Sequence, residues 1–295
     1  ESGFSVLPDG SLMVHLWSTH HTKAMYLSLD PLSYEETVLQ RWINVVDQPE
    51  YREARSLQGA RCSTTADGGI TWSDPVTGPD SVHGGCAIAD GSILVASYRI
   101  NAPDVCIYRG TGSPIVWSVQ SKLPLPALRS TRFGEPHLAA LPSGRVIVFL
   151  RSTAIPYDDM SERNLLWMSF SDDDGRTWVE PYPTPLWGFP PHLLVMADGR
   201  VLCTYGYRRA PFGQRACISE DGVTWKAENE IILREDAENG DLGYPASAEL
   251  ELGKIITVYY QPNRGQAPPR MRPPDPERSK PDIMASVWTL PPELL

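Results

Sequence analysis

The stretch Ser171-Asp172-Asp173-Asp174-Gly175-Arg176-Thr177-Trp178 reads as a tight turn with an apolar plug beside it. Asp and Ser/Thr side chains close turns by bonding nearby backbone amides, Gly supplies a positive φ, and a flanking Trp buries a large apolar area. The same order of residues recurs at Thr65-x-Asp67-x-Gly69-x-Thr71-Trp72 and, one residue shorter, at Ser219-x-Asp221-Gly222-x-Thr224-Trp225. A degenerate copy, Gly110-Thr-Gly-Ser-Pro-Ile-Val-Trp117, keeps the glycines and the Trp but lacks the Asp. Three full copies make a repeat protein the first expectation.

A second pattern runs between the copies. Apolar segments ending in a turn glycine close at Gly10, Gly91, Gly144, Gly199 and Gly253, each followed by another apolar segment, which is a β-hairpin signature. These glycines lie 81, 53, 55 and 54 residues apart. About 50 residues is what four strands with their loops need, so the chain reads as an all-β propeller of four-stranded antiparallel blades. The longer first spacing marks an insertion over residues 18–58, with a helix expected over 35–46 ahead of Pro49. Residues 262–281 are rich in Pro and Arg and read as a mobile loop, followed by a closing strand over 283–290. The 295 residues read as a single domain.

Composition excludes several functions. A net charge of −10 without a Lys/Arg cluster argues against nucleic acid, and no apolar run reaches the roughly 20 residues of a membrane helix. Cys62, Cys86, Cys106, Cys203 and Cys217 are scattered without metal-ligand spacing and read as buried free thiols, although Cys203 and Cys217 fall where adjacent strands face each other. No cofactor or metal is implied. The sequence starts Glu1-Ser2-Gly3-Phe4 without a basic-then-apolar leader. A signal peptide is therefore absent or already removed, which leaves a secreted, periplasmic or cytoplasmic location open.

In a propeller blade the first strand starts and the second ends at the same mouth, where ligands bind. Positions nine before the turn glycines are Glu1, Val82, Glu135, Pro190 and Tyr244, with His83 adjoining. Positions seven or eight after them are Trp17, Arg99, Arg151, Tyr207 and Tyr260. Arginines, a carboxylate, phenols and a histidine converge there. The residues of the recurring turn motif themselves belong to outer hairpins and read as structural. His83, His137 and His192, near the starts of inner strands, read as satisfying backbone carbonyls, with a functional role for one of them.

The three turn motifs resemble the Asp boxes of the sialidase superfamily. Gly134-Glu135-Pro136 followed by Arg151, then Arg215 ahead of the box at Ser219, then Tyr244, are similar to that family's Glu, arginines and tyrosine in their order. The resemblance implies six blades where five repeats are visible. It also implies a retaining exo-glycosidase in which Tyr244 is the nucleophile, Glu135 its base, and Arg151 and Arg215 a carboxylate clamp. Arg208 and Arg99 are the candidates for a third arginine, and His83 and Tyr207 are further substrate-binding candidates. For the acid the N-terminal part offers Asp30, Asp47, His20 and His21. The substrate so implied is a glycan ending in an acidic sugar, sialic acid or a relative. Two other readings stand beside it: a polysaccharide lyase on uronic acids with His192 and Tyr207 as base and acid, and a carbohydrate-binding propeller without catalysis.

Overall fold

The computed structural model describes residues 2–18, 27, 36–53, 59–99, 102–156, 161–262 and 281–294. Nineteen strands form five antiparallel sheets among these residues. Blade 1 is β1 (Ser2–Val6), β2 (Leu12–Ser18), β3 (Gly59–Thr65) and β4 (Val76–Thr77). Blade 2 is β5 (Gly85–Ala87), β6 (Ile93–Arg99), β7 (Ala102–Thr111) and β8 (Val116–Lys122). Blade 3 is β9 (Thr131–Ala140), β10 (Val146–Ala154), β11 (Leu165–Ser171) and β12 (Tyr182–Trp187). Blade 4 is β13 (Pro191–Val195), β14 (Val201–Tyr207), β15 (Gly213–Ser219) and β16 (Glu230–Arg234). Blade 5 has three strands, β17 (Gly243–Glu251), β18 (Lys254–Gln261) and β19 (Asp282–Thr289).

The propeller of the sequence reading is present, but with five blades rather than six. Each of the five hairpin glycines turns between the first two strands of one blade with φ between 71° and 91°, so one glycine marks one sheet. The insertion carries helix α1 (Glu36–Val46) and a short helix α2 (Pro49–Glu53) between β2 and β3, as the helical pattern before Pro49 leads one to expect. The segment read as a mobile loop falls, over 263–280, outside the described residues, and the closing strand appears as β19.

Packing explains why β10 reads as an unbroken apolar run. Val146, Val148 and Leu150 face blade 2, while Ile147 and Phe149 face blade 4, and all five are buried. Four core clusters lie between successive blades, 1 with 2, 2 with 3, 3 with 4 and 4 with 5. Among the described residues none lies between blades 5 and 1, where a cavity of about 730 Å³ separates β17 from β1. At the packed junction of blades 1 and 2 the backbones approach so closely that a Cβ on Gly84 would sit 2.1 Å from the Phe4 carbonyl oxygen.

The Asp boxes act as turn locks. In blade 3, Asp173 accepts from the amides of Arg176 (3.0 Å) and Thr177 (2.8 Å) and from the hydroxyls of Thr177 (2.6 Å) and Ser171 (2.7 Å). These bonds, that of the Thr177 hydroxyl foremost, hold its carboxyl down at about 2. Trp178 Nε1 donates to Gly175 O and also to Ser121 Oγ of blade 2, and Trp225 packs edge-on against Phe149 of blade 3. Each of these tryptophans therefore rests on the preceding blade. Trp72, in blade 1, is 43% exposed. Asp173→Ala is expected to cost about 2 kcal/mol, measured as a lower urea midpoint, with substrate turnover unchanged.

All five cysteines are free. Cys62, Cys203 and Cys217 are buried as expected, whereas Cys86 and Cys106 are only half-buried. Cys203 does face Cys217 across β14 and β15.

Candidate active site

One short sequence device builds the site. Gly134-Glu135-Pro136, Gly188-Phe189-Pro190 and Gly243-Tyr244-Pro245 lie near the start of the inner strands of blades 3, 4 and 5, the copy in blade 4 one residue further from its hairpin glycine than the other two. In blades 3 and 5 the pairing register slips at this point, between Phe149 and Arg151 on β10 and between Gly243 and Ala246 on β17. A bulge re-aims the side chain it carries. Glu135 (φ 45°) and Tyr244 (φ 49°) are both held in the left-handed region, a conformation that costs free energy in a residue with a Cβ. Strain of this kind concentrates where side-chain direction matters for function.

The result is a contact across 109 residues of sequence: the Tyr244 hydroxyl donates to Glu135 Oε1 at 2.7 Å. Arg151 Nη1 donates to both oxygens of Glu135 at 2.9 Å. Glu135 is 7% exposed, so this charge pair is largely removed from water. Phe189, the middle residue of the Gly-Xaa-Pro of blade 4, carries the guanidinium of Arg151 4.1 Å from its ring centre and that of Arg208 at 5.0 Å. Arg208 Nε donates to Leu242 O at 2.9 Å and its Nη2 to Tyr260 Oη at 3.4 Å, while Tyr260 donates to Asp241 Oδ1 at 3.1 Å. Burial raises the Tyr260 phenol to about 12, against the opposing pull of Arg208.

Tyr244, Arg208, Tyr260, His83 and His192 line the 730 Å³ cavity together with Phe4, Val82 and Pro245. Three histidines cluster beside it, two of which, His83 and His192, line it. Ring centres lie 5.1 Å apart for His83 and His137, 4.6 Å for His137 and His192, and 6.2 Å for His83 and His192, with Tyr244 6.4 Å from His83. Their role differs from the carbonyl donors expected of them. His137 Nδ1 accepts the Leu193 amide (2.8 Å) and His192 Nδ1 accepts the Ser247 amide (3.4 Å), so each ring clasps the inner strand of the next blade. An acceptor nitrogen requires a neutral ring. Burial, the dominant cause, lowers His83 to about 3 and His192 to about 4, and puts His137 well below its ordinary value. His83 Nε2 is buried without a hydrogen-bond partner among the described residues.

The other sequence candidates are placed as follows. Arg215 is buried on β15 with Nη1 donating to the carbonyls of Gln214 and Arg234, and its guanidinium covers the Tyr207 ring at 4.4 Å. Neither Arg215 nor Tyr207 lines the cavity, and the Tyr207 hydroxyl accepts instead from Arg209 Nε at 2.9 Å. Arg99 ends β6, and its side chain lies outside the described residues, as do Asp30, His20 and His21. Asp47 follows α1, its amide bonded to Ile43 O, and does not line the cavity. Phe189 and Asp241 escaped the sequence reading, which named Arg208 and Tyr260 without the bonds that link them. The Gly-Xaa-Pro that stands 10 or 11 residues ahead of three hairpin glycines was the signal that could have found the first of them. No group of His, Cys, Asp and Glu among the described residues could hold a metal ion, and no helix is long and apolar enough to cross a membrane.

The family described as BNR repeat-like domain matches residues 41–256. The chain belongs to this family. No curated protein matches it. Among solved structures, a Dyadobacter fermentans protein of unknown function shares 20% identity, with 98% of this chain and 76% of that one covered and a TM-score of 0.67. The Hadza microbial sialidase Hz136 shares 16% identity over 88% of this chain and 49% of its own, at a TM-score of 0.55. The NanB sialidase of Streptococcus pneumoniae shares 15% over 68% and 32%, at 0.51. Likeness at these identities establishes a common fold, that of a BNR propeller.

Proposed function

We propose that this BNR propeller is a sialidase-like exo-glycosidase that removes a terminal acidic sugar with retention of configuration. The observation that carries the reading is the 2.7 Å bond from the Tyr244 hydroxyl to Glu135 at the edge of the cavity. Glu135 takes the phenol proton as Tyr244 Oη attacks the anomeric carbon and the bond to the leaving oxygen breaks. An acid protonates that oxygen, and water then attacks the same carbon and releases Tyr244, so two inversions give net retention. A Tyr–Glu pair spares the site a bare carboxylate nucleophile facing an anionic sugar.

The arginines divide the remaining work differently from the clamp expected of Arg151 and Arg215. Arg151 fixes the Glu135 carboxylate through both of its oxygens. Arg208, at the cavity wall, is the guanidinium placed to meet the substrate carboxylate. The test is release of fluorophore from an aryl sialoside and from a panel of aryl uronides by the purified chain, with Arg208→Ala alongside. Release from at least one acidic sugar is expected, with Arg208→Ala raising KM by about tenfold or more. Failure to cleave any member of the panel overturns the reading.

A second reading is favoured by one observation, His83 beside Tyr244 with an Nε2 that has no hydrogen-bond partner among the described residues. A neutral imidazole and a phenol can serve as base and acid for β-elimination from a uronate whose carboxylate is met by Arg208. Polymeric uronates would then yield an unsaturated product absorbing in the ultraviolet, and the aryl glycosides would stay intact.

A further inference from the structure

A histidine that clasps a strand through one nitrogen has the proton on its other nitrogen fixed. The Ser247 amide on β17 donates to His192 Nδ1 on β13 at 3.4 Å, just as the Leu193 amide donates to His137 Nδ1 at 2.8 Å. A neutral imidazole has one acceptor nitrogen and one N–H, so using Nδ1 as the acceptor leaves the proton of His192 on Nε2. Burial keeps the ring in this neutral form, lowering its pKa to about 4.

The position of that N–H matters. His83 Nε2 is sealed from solvent, whereas His192 is half-buried, its Nε2 is not sealed, and it lines the cavity with Ser247, Tyr244 and Arg208. Beyond the Ser247 amide, His192 makes no hydrogen bond among the described residues. It therefore offers the cavity an uncharged N–H donor. The rest of the wall sorts by charge: Arg208 is the cation, Tyr244, Tyr260 and Ser247 bear hydroxyls, and Phe4, Val82 and Pro245 are apolar. A carboxylate is met best by the guanidinium, so the oxygen left for the imidazole is an uncharged one.

We propose that His192 is a specificity-determining residue whose Nε2–H donates to a hydroxyl oxygen of the same sugar whose carboxylate Arg208 meets. This rests on the glycosidase reading and adds a requirement to it: the terminal sugar must carry that hydroxyl as well as its carboxylate. A site built to hydrogen-bond a hydroxyl discriminates strongly against an analogue that lacks it. In this tautomer the ring gives a hydrogen bond and cannot take a proton, so His192 is not placed to act as the base of a uronate lyase.

Two substitutions separate the two nitrogens. His192→Gln keeps an N–H near the place of Nε2 but has no acceptor at Nδ1, and His192→Asn keeps an acceptor near Nδ1 but has nothing at Nε2. On the aryl glycoside the wild type cleaves, His192→Asn is expected to raise KM about fivefold or more with kcat within about threefold, while His192→Gln keeps KM within about twofold. Stability should run the other way. His192→Gln leaves the Ser247 amide without its acceptor and should have the lower urea midpoint of the two. A histidine that only clasps the strand would make affinity follow the midpoint, and that pattern overturns the proposal. So does a loss of kcat in both variants at unchanged KM, the mark of a base. If the wild type cleaves no member of the panel, the glycosidase reading falls by itself, and the two variants are compared by their Kd for glucuronate and sialic acid. A wild type that binds neither sugar overturns the donor role as well.

Discussion

Tyr244→Phe is expected to lower kcat on the cleaved substrate by about 10³-fold or more while leaving KM within about threefold. The argument rests on what the substitution removes. Phenylalanine keeps the ring beside His83 and Tyr260 but deletes the oxygen that would form the bond to the sugar. Arg151 still holds Glu135 through both oxygens, so no buried charge is left unpaired and the fold should tolerate the change. Glu135→Gln keeps the shape and removes the base, and its loss should be of similar size. Because the two residues act as one unit, the double variant should be scarcely worse than either single one. Full additivity of the two losses would show that they do not share a step, and wild-type turnover by Tyr244→Phe would eliminate it as the nucleophile.

Acid should unfold this protein unusually steeply. His15, His83 and His192 are lowered by burial to about 4, 3 and 4, and His137 falls well below its ordinary value. In the unfolded chain each would titrate near 6.5. The unfolded state thus binds more protons below that pH, so the stabilisation is fully present above about 6.5 and is lost as pH falls towards 4. Each histidine contributes a slope of at most about 1.4 kcal/mol per pH unit in that window, and four together at most about 5.5. Over two units the loss, at most about 11 kcal/mol, falls within the whole stability of a typical domain. The chemistry of the loss is specific, since protonation removes the acceptors that hold Leu193 and Ser247 and places positive rings within 4.6 to 6.2 Å of one another. A urea midpoint that stays constant from pH 7.5 to 5 would overturn this account.

What the sequence discloses here follows the range of the physics involved. An Asp box closes within eight residues, so its chemistry is legible from spacing alone, and the bonds to Asp173 are those its neighbours lead one to expect. The same holds for the hairpin glycines and for α1. Glu135, Arg151 and Tyr244 were legible through resemblance, and the structure brings all three together. Arg215 was not, because the direction of a strand side chain depends on pairing register: this one turns towards the carbonyl of Arg234 on β16. Arg208 was named as a candidate, but its anchoring was not legible: it reaches the cavity from just past the end of β14 and is held by Leu242, 34 residues away. The histidines show the same limit. Their positions were readable, but their bonds run to amides 55 or 56 residues distant.

The cavity between β17 and β1 makes the ring a split one, and a split ring loosens from its ends. Among the described residues, blades 1 and 5 are each held by a core on one side, whereas blades 2, 3 and 4 are gripped on both. Amide hydrogens should therefore exchange with solvent in a graded order, slowest along 146–150 of β10, faster through blades 2 and 4, and fastest in β1 to β4 and β17 to β19. A closed ring would give one cooperative opening for every blade. Here the strand that carries Tyr244 lies on a free end while Glu135 lies on the most rigid blade. The two halves of the candidate site thus belong to parts of the molecule that breathe at different rates.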